Sequence, residues 1–290
     1  MNRFGVVQFL LVAALTLAAC QPLGASTVGT PTPSLQTSTP LPTPTIEHYT
    51  PTVVPTLSPE EAEEQIREMI RTNGGCDLPC WWGVAPRQTT IKAVQSAWGS
   101  FASDISPLPE VLDKEGYSIT FEDPESPGKE YTILLYTANG VVEKMDTFAF
   151  DSLADLLEKY GVPKEIQLHS GGVSMGFRPP SFSLAMLYPE QGIMIYFPEA
   201  LGDYLSERGT EYVQLCPKNI REAGNPGLYL WSPDSPLSFA DILPDIYPSP
   251  ETRRYELLED VSNMDEKAFF DSFTNPASSE CLKTPAGIWP

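Results

Sequence analysis

Leu135-Tyr136-Thr137-Ala138-Asn139-Gly140-Val141-Val142 is the stretch that decides the fold. Asn-Gly suits a type I′ turn, in which both central residues take positive φ, and here it separates two runs rich in β-formers. Residues 131–136 and 141–150 are therefore expected to be adjacent antiparallel strands. Just upstream, Tyr117, Ile119 and Phe121 alternate with polar residues, and a polar Pro/Gly turn over 123–128 leads into the first run. Three consecutive strands with short links make an antiparallel meander.

Outward from the hairpin, the period changes from two to 3.6. Before the strands, Thr89 or Thr90 caps a helix with Ile91, Val94 and Trp98 on one side, ending near 99–101. After them, Asp151 or Ser152 caps a helix with Leu153, Leu156, Leu157 and Tyr160 inward, and Gly161 and Pro163 stop it. Strands return at 165–169, 182–188, 193–197 and 211–215. A capped helix leading into about three antiparallel strands thus starts twice, a possible repeat over 76–150 and 151–216. Further upstream, Ser58-Pro59-Glu60-Glu61 is a capping box with Pro at the first helical position; Ala62, Ile66, Met69 and Ile70 form its apolar face, and Asn73-Gly74-Gly75 ends it. The expected class is α+β, one or two antiparallel sheets with helices on one face, in a domain spanning 58–216. Residues 217–290 read as an extension packed on that domain, with a strand at 228–231, a short helix at 237–243, and a helix at 265–273 carrying Phe269, Phe270 and Phe273 on one side.

Trp82-Gly83-Val84-Ala85-Pro86 ahead of Thr89-Thr90, the hairpin at 135–142, and the helix-Gly-x-Pro step over 156–163 carry a resemblance. Over about residues 76–215 the chain resembles the beta-lactamase-inhibitor-protein-like fold shared with small outer-membrane lipoproteins of the SmpA/BamE type. The resemblance implies an export-side scaffold that binds proteins, with no catalytic residues to carry over. It departs at Arg87, where that family usually has Gly.

The N-terminus has its own reading. Arg3 precedes an apolar run over 4–19 broken only by Gln8 and Thr16, shorter than a spanning helix needs and closing in small residues. Leu17-Ala18-Ala19-Cys20 resembles the lipobox of bacterial lipoproteins. The resemblance implies removal of residues 1–19, a diacylglycerol on the Cys20 thiol and acylation of the freed amine; two or three chains give stable attachment where one does not. The expected location is the extracytoplasmic face of the cell membrane, or the outer membrane if the cell has one. An ordinary secretory signal ending beside a cysteine is the alternative. Residues 20–57 turn to Pro, Thr and Ser, a composition that favours polyproline II and cannot build a core. As a disordered stalk of about 37 residues it would reach about 110 Å when extended.

Leader and stalk hold only Arg3 and Glu47 as charges, so the net charge of −20 belongs to the remainder. That field opposes nucleic acid and any face lying flat on anionic lipid. Beyond Cys20, the four cysteines Cys76, Cys80, Cys216 and Cys281 suit two disulfides. Three connectivities are open; the favoured one pairs Cys76 with Cys80 around a tight turn, and Cys216 with Cys281 across a loop of about 65 residues worth about 4 kcal/mol. Cys76 and Cys80 lack the two-residue spacing of redox motifs, and with only His48 and His169 in the chain no zinc or other metal site is expected.

No cofactor and no catalytic residue stand out. Gly172-Val173-Ser174-Met175-Gly176 has the spacing of a nucleophile elbow, but Pro179-Pro180 cannot open the required helix and no histidine follows Ser174. Trp81-Trp82 is a candidate partner-binding platform, against the plainer reading of both rings as core. Arg253-Arg254 reads as a solvated basic spot. The expectation is a membrane-anchored lipoprotein whose domain binds another envelope component, protein before glycan, because a long tether raises effective concentration for recognition across a wall layer. The rivals are an exported hydrolase acting on cell-wall polymer, which needs a deep cleft with convergent carboxylates, and a structural spacer.

Overall fold

The Asn139-Gly140 turn forms with the backbone its residues permit, φ 53° and 75°. It belongs to the first of two strand groups in the computed structural model, which describes residues 57–108, 115–126, 128–171, 180–246, 254–275 and 277–289. That group is β1 (Asp104–Pro107), β2 (Gly116–Glu122), β3 (Glu130–Ala138) and β4 (Val141–Phe148). The second contains β5 (Glu165–Gly171), β6 (Ser181–Tyr188) and β7 (Ile193–Leu201), then a hairpin of β8 (Asp203–Glu207) and β9 (Thr210–Leu215).

Capping chemistry starts the helices where the sequence places them. In α1 (Pro59–Thr72) the Ser58 hydroxyl accepts from the Glu61 amide at 3.3 Å while Glu61 accepts from the Ser58 amide at 2.9 Å. In α2 (Ile91–Trp98) the Thr90 hydroxyl accepts from Ala93 at 3.3 Å. In α3 (Leu153–Tyr160) Ser152 and Asp155 form a second capping box. The turn before α2 keeps a left-handed residue at Arg87, φ 62°, and the Arg87 amide donates to Val142 O at 2.6 Å. That bond and Ile91 N to Gly140 O at 3.0 Å fasten the start of α2 to the β3–β4 hairpin.

The two strand groups make one sheet, and residues 217–290 complete it. After α4 (Pro217–Glu222), β10 (Gly227–Trp231) runs between β4 and β7, antiparallel to both. With β11 (Glu256–Leu257) at the far edge, the order is β1-β2-β3-β4-β10-β7-β6-β5-β11, antiparallel throughout. A smaller sheet has the order β12-β9-β8, with β12 (Leu282–Pro285) paired to β9. The pairs Cys76–Cys80 and Cys216–Cys281 are disulfides, with S–S 2.18 and 2.01 Å.

Alternation along the central strands separates two cores. Leu135, Leu184, Met186, Ile193, Ile195, Leu228 and Leu230 point to one face, packed with Ile66 of α1, Trp98 of α2, Leu156 of α3 and Phe269 of α7 (Glu266–Thr274). Tyr136, Ala185, Leu187, Met194, Tyr229 and Trp231 point to the other, where Phe239 and Ile242 of α5 (Phe239–Ile246) cover them. The expectation of helices on one face therefore needs a correction for α5. Ile220 of α4 and Leu258 of α6 (Leu258–Val261) join the first core.

Candidate functional site

Trp81 and Trp82 are not a surface platform; each is 2% exposed, and this corrects their reading as a candidate partner-binding pair. The cause is Asn73, which ends α1 in the left-handed conformation at φ 51°. Its amide donates to the carbonyls of Cys76 at 2.8 Å and Cys80 at 2.9 Å, and its Oδ1 accepts from the Trp82 amide at 3.1 Å. The disulfide turn is thereby folded back, and both rings are driven under the helix. They stack at 4.3 Å, with Trp98 edge-on to both, and the Trp98 indole donates to Trp82 O at 3.2 Å. Phe269 and Phe273 are core as well, and Phe270 is half-buried.

An open groove of about 710 Å³ lies where the small sheet meets β11 and α6. Tyr212 and Pro285 form one wall, Val261 and Asn263 the other, and Ile288 stands at the rim 38% exposed. Asn263 sets the width: its Oδ1 accepts from the Lys283 amide at 2.6 Å and its own amide donates to Lys283 O at 3.2 Å, so it occupies the free edge of β12 as a neighbouring strand would. The charges in the groove are largely paired. Lys283 Nζ lies 2.7 Å from Glu207 Oε1, and the Arg254 guanidinium bonds to Glu256. Asp260, exposed on α6, has no ion-pair partner among the described residues. The charge left for a guest is therefore negative.

Polar side chains also converge on the α5 face of the large sheet. Asp146 on β4 accepts from the Tyr196 hydroxyl at 2.6 Å. Lys144, two residues along the same strand, donates to Asp245 Oδ2 at 2.5 Å; the Tyr229 hydroxyl donates to the same oxygen, and the Tyr136 hydroxyl to the Asp245 carbonyl at 3.2 Å. Burial, less the Tyr196 hydrogen bond and with the Asp245 charge adding to it, pushes the Asp146 carboxyl up to about 7. Burial, with the neighbouring carboxylates adding to it, also holds the Tyr136 and Tyr229 hydroxyls far above the ordinary phenol range. Such a carboxyl can take up and release a proton near neutrality. Neither aspartate lines the groove, and a neighbouring cavity of about 420 Å³ reaches only Lys144 of this cluster.

The remaining sequence-level candidates scatter. His169 on β5 has Nδ1 2.8 Å from Arg254 O, with its ring 5.4 Å from Tyr255. Cys20, the Gly172–Gly176 motif with Ser174, and Arg253 lie outside the described residues. Arg254 belongs to the groove rather than to open solvent alone. Among the described residues no group of three or more His, Cys, Asp or Glu side chains could hold a metal ion, and no helix is long and apolar enough to cross a membrane. Sequence reasoning missed Lys144, Asp146 and Asp245. The available signal was the polar Lys144-x-Asp146 face of a strand next to an apolar run, Leu228-Tyr229-Leu230-Trp231, that needs cover on both sides.

No protein-family model matches the chain, and neither a curated protein nor a solved structure does.

Proposed function

We propose that the chain is a lipid-anchored protein of the cell envelope, held at the extracytoplasmic face through Cys20, whose tethered domain docks an extended, cationic segment of another envelope protein. The lipobox-like Leu17-Ala18-Ala19-Cys20 and the Pro/Thr/Ser stretch behind it support the anchor and the tether. The recurrence of a capped helix followed by antiparallel strands supports the resemblance to a protein-binding scaffold.

The groove carries the recognition reading. Its two cations already sit on carboxylates while Asp260 is left over, and Ile288 and Tyr212 give a guest apolar contact. A net charge of −20 adds long-range attraction for a basic partner and repels a second copy. The hydrolase alternative has less support, because the Asp146 and Asp245 carboxyls, which converge where α5 meets the sheet, do not line the groove.

Two measurements test this. Mass spectrometry of the native N-terminus should find Cys20 first in the chain and carrying acyl groups; retention of residues 1–19, or a bare thiol, overturns the anchor. Photocrosslinking from position 288 in cells making the full chain should yield extended peptides rich in Lys and Arg, diminished by Asp260→Lys. Acidic crosslinked segments, or a yield equal to that from a control site at the exposed Val162, overturns the groove as the docking site.

A further inference from the structure

α5 is held to the sheet by two unlike contacts. Its first turns are fixed by apolar packing, with Phe239 and Ile242 buried against Tyr229 and Trp231. Its last turn adds to the half-buried Leu243 and Ile246, which pack against the same core, a set of polar contacts at Asp245, next to Pro244, which has no amide to give the helix. Asp245 is bound by Lys144 from β4 and Tyr229 from β10. Asp146 lies directly across from Tyr229 in the β4–β10 register, with Tyr196 as its hydrogen-bond donor and no ion pair among the described residues.

We propose that α5 is a proton-operated latch: with Asp146 protonated its last turn stays closed on the sheet, and ionisation of Asp146 beside Asp245 loosens that turn and opens the face of Tyr229 and Trp231 to water. The groups facing Asp146 make the direction of the effect clear. Tyr136, Tyr196 and Tyr229 are neutral donors, Lys144 is engaged by Asp245, and Asp241 on the exposed side of α5 is held below the ordinary carboxylate range by its Ser238 cap bonds. A new negative charge at Asp146 therefore meets a carboxylate on α5. The raised affinity of Asp146 for its proton has the same sense: closed α5 favours the neutral carboxyl, and opening returns it to water and to an ordinary acidity.

Linkage sets the expected result. Between the open-state value near 4 and the closed-state value near 7, the opening equilibrium rises about tenfold per pH unit, then levels. Hydrogen exchange of the full chain, corrected for the intrinsic pH dependence of amide exchange, should show this fall in protection over residues 239–246 from pH 5 to 7, with α3 unchanged. Asp146→Asn should hold the segment at its acid-side protection throughout. Tyr196→Phe removes a donor that favours the charged carboxyl, so it should move the levelling point to higher pH. A flat wild-type profile, a slope that survives in Asp146→Asn, or a levelling point unmoved in Tyr196→Phe overturns the latch. The wild-type and Tyr196→Phe profiles decide the matter even if Asp146→Asn fails to fold.

Discussion

The Tyr196 side chain reaches across the whole width of β10 to bond Asp146, passing over the backbone of Gly227. Tyr196 on β7 and Phe148 on β4 both pair with Gly227, and the hydroxyl reaches Asp146 Oδ1 at 2.6 Å. A Cβ at position 227 would lie 2.3 Å from the ring carbon that bears the hydroxyl. Glycine is needed there for room, so that one side chain can link two strands that are not neighbours.

Gly227→Ala should therefore displace the ring and destabilise the domain by about 1–3 kcal/mol, the usual cost of overpacking a filled site. In a Tyr196→Ala background the same change should cost much less, since the obstructing ring is gone. Denaturant unfolding of the four chains of this double-mutant cycle measures the coupling. Additive effects would contradict the geometry.

Asp146 gives the stability a pH dependence of definite sign. Its carboxyl sits at about 7 in the folded chain, well above the ordinary value it has when unfolded. The native state thus binds the extra proton between about pH 4 and 7, and the contribution present at the acid end is lost as pH rises toward 7. The full shift corresponds to at most about 4 kcal/mol. Unfolding free energies measured from pH 5 to 8 should show this falling component in the wild type and lose it in Asp146→Asn.

Replacing Cys216 and Cys281 by Ser should cost about 4 kcal/mol, because the bridge closes a loop with a sequence separation of 65. The Cys76–Cys80 bridge, with a separation of 4, should be worth about 2 kcal/mol. Thermal unfolding of each double-Ser variant compares them, and a larger loss from the short loop would reverse the expected order.

Arg87 is a non-glycine residue at φ 62° on the turn ahead of α2. Arg87→Gly should relieve roughly 1 kcal/mol of backbone cost and forfeit a solvent-exposed pair with Glu143, Nε to Oε2 2.7 Å, worth a few tenths. The expected net is a small stabilisation, read as a rise in the denaturation midpoint. Arg87→Ala loses the pair without the relief and should destabilise.

Local chemistry made much of this fold readable in advance. Ser58, Thr90 and Ser152 cap the helices that their sequence positions suggest, and Asn139-Gly140 turns the hairpin. What escaped has physical reasons. β1 and β12 are short edge strands that each contain a proline, and β8 is five residues of mostly polar edge, so none carries a strong strand pattern. The place of β10 depends on pairings with Met145 and Ile195, which no local pattern encodes. The same gap hid the Asp146 cluster, whose members come together only once β4, β7, β10 and α5 are assembled. In the groove, Arg254 is legible as part of a basic spot, but its pairing with Glu256, like that of Lys283 with Glu207, belongs to tertiary structure.

The central position of β10 also fixes the order in which the molecule can be finished. Residues 227–231 follow both flanking strands in the chain, and without them the margins of β4 and β7 that they pair would carry bare backbone donors and acceptors. The last quarter of the polypeptide therefore acts as a keystone, since it supplies the one strand through which the two halves of the large sheet are joined.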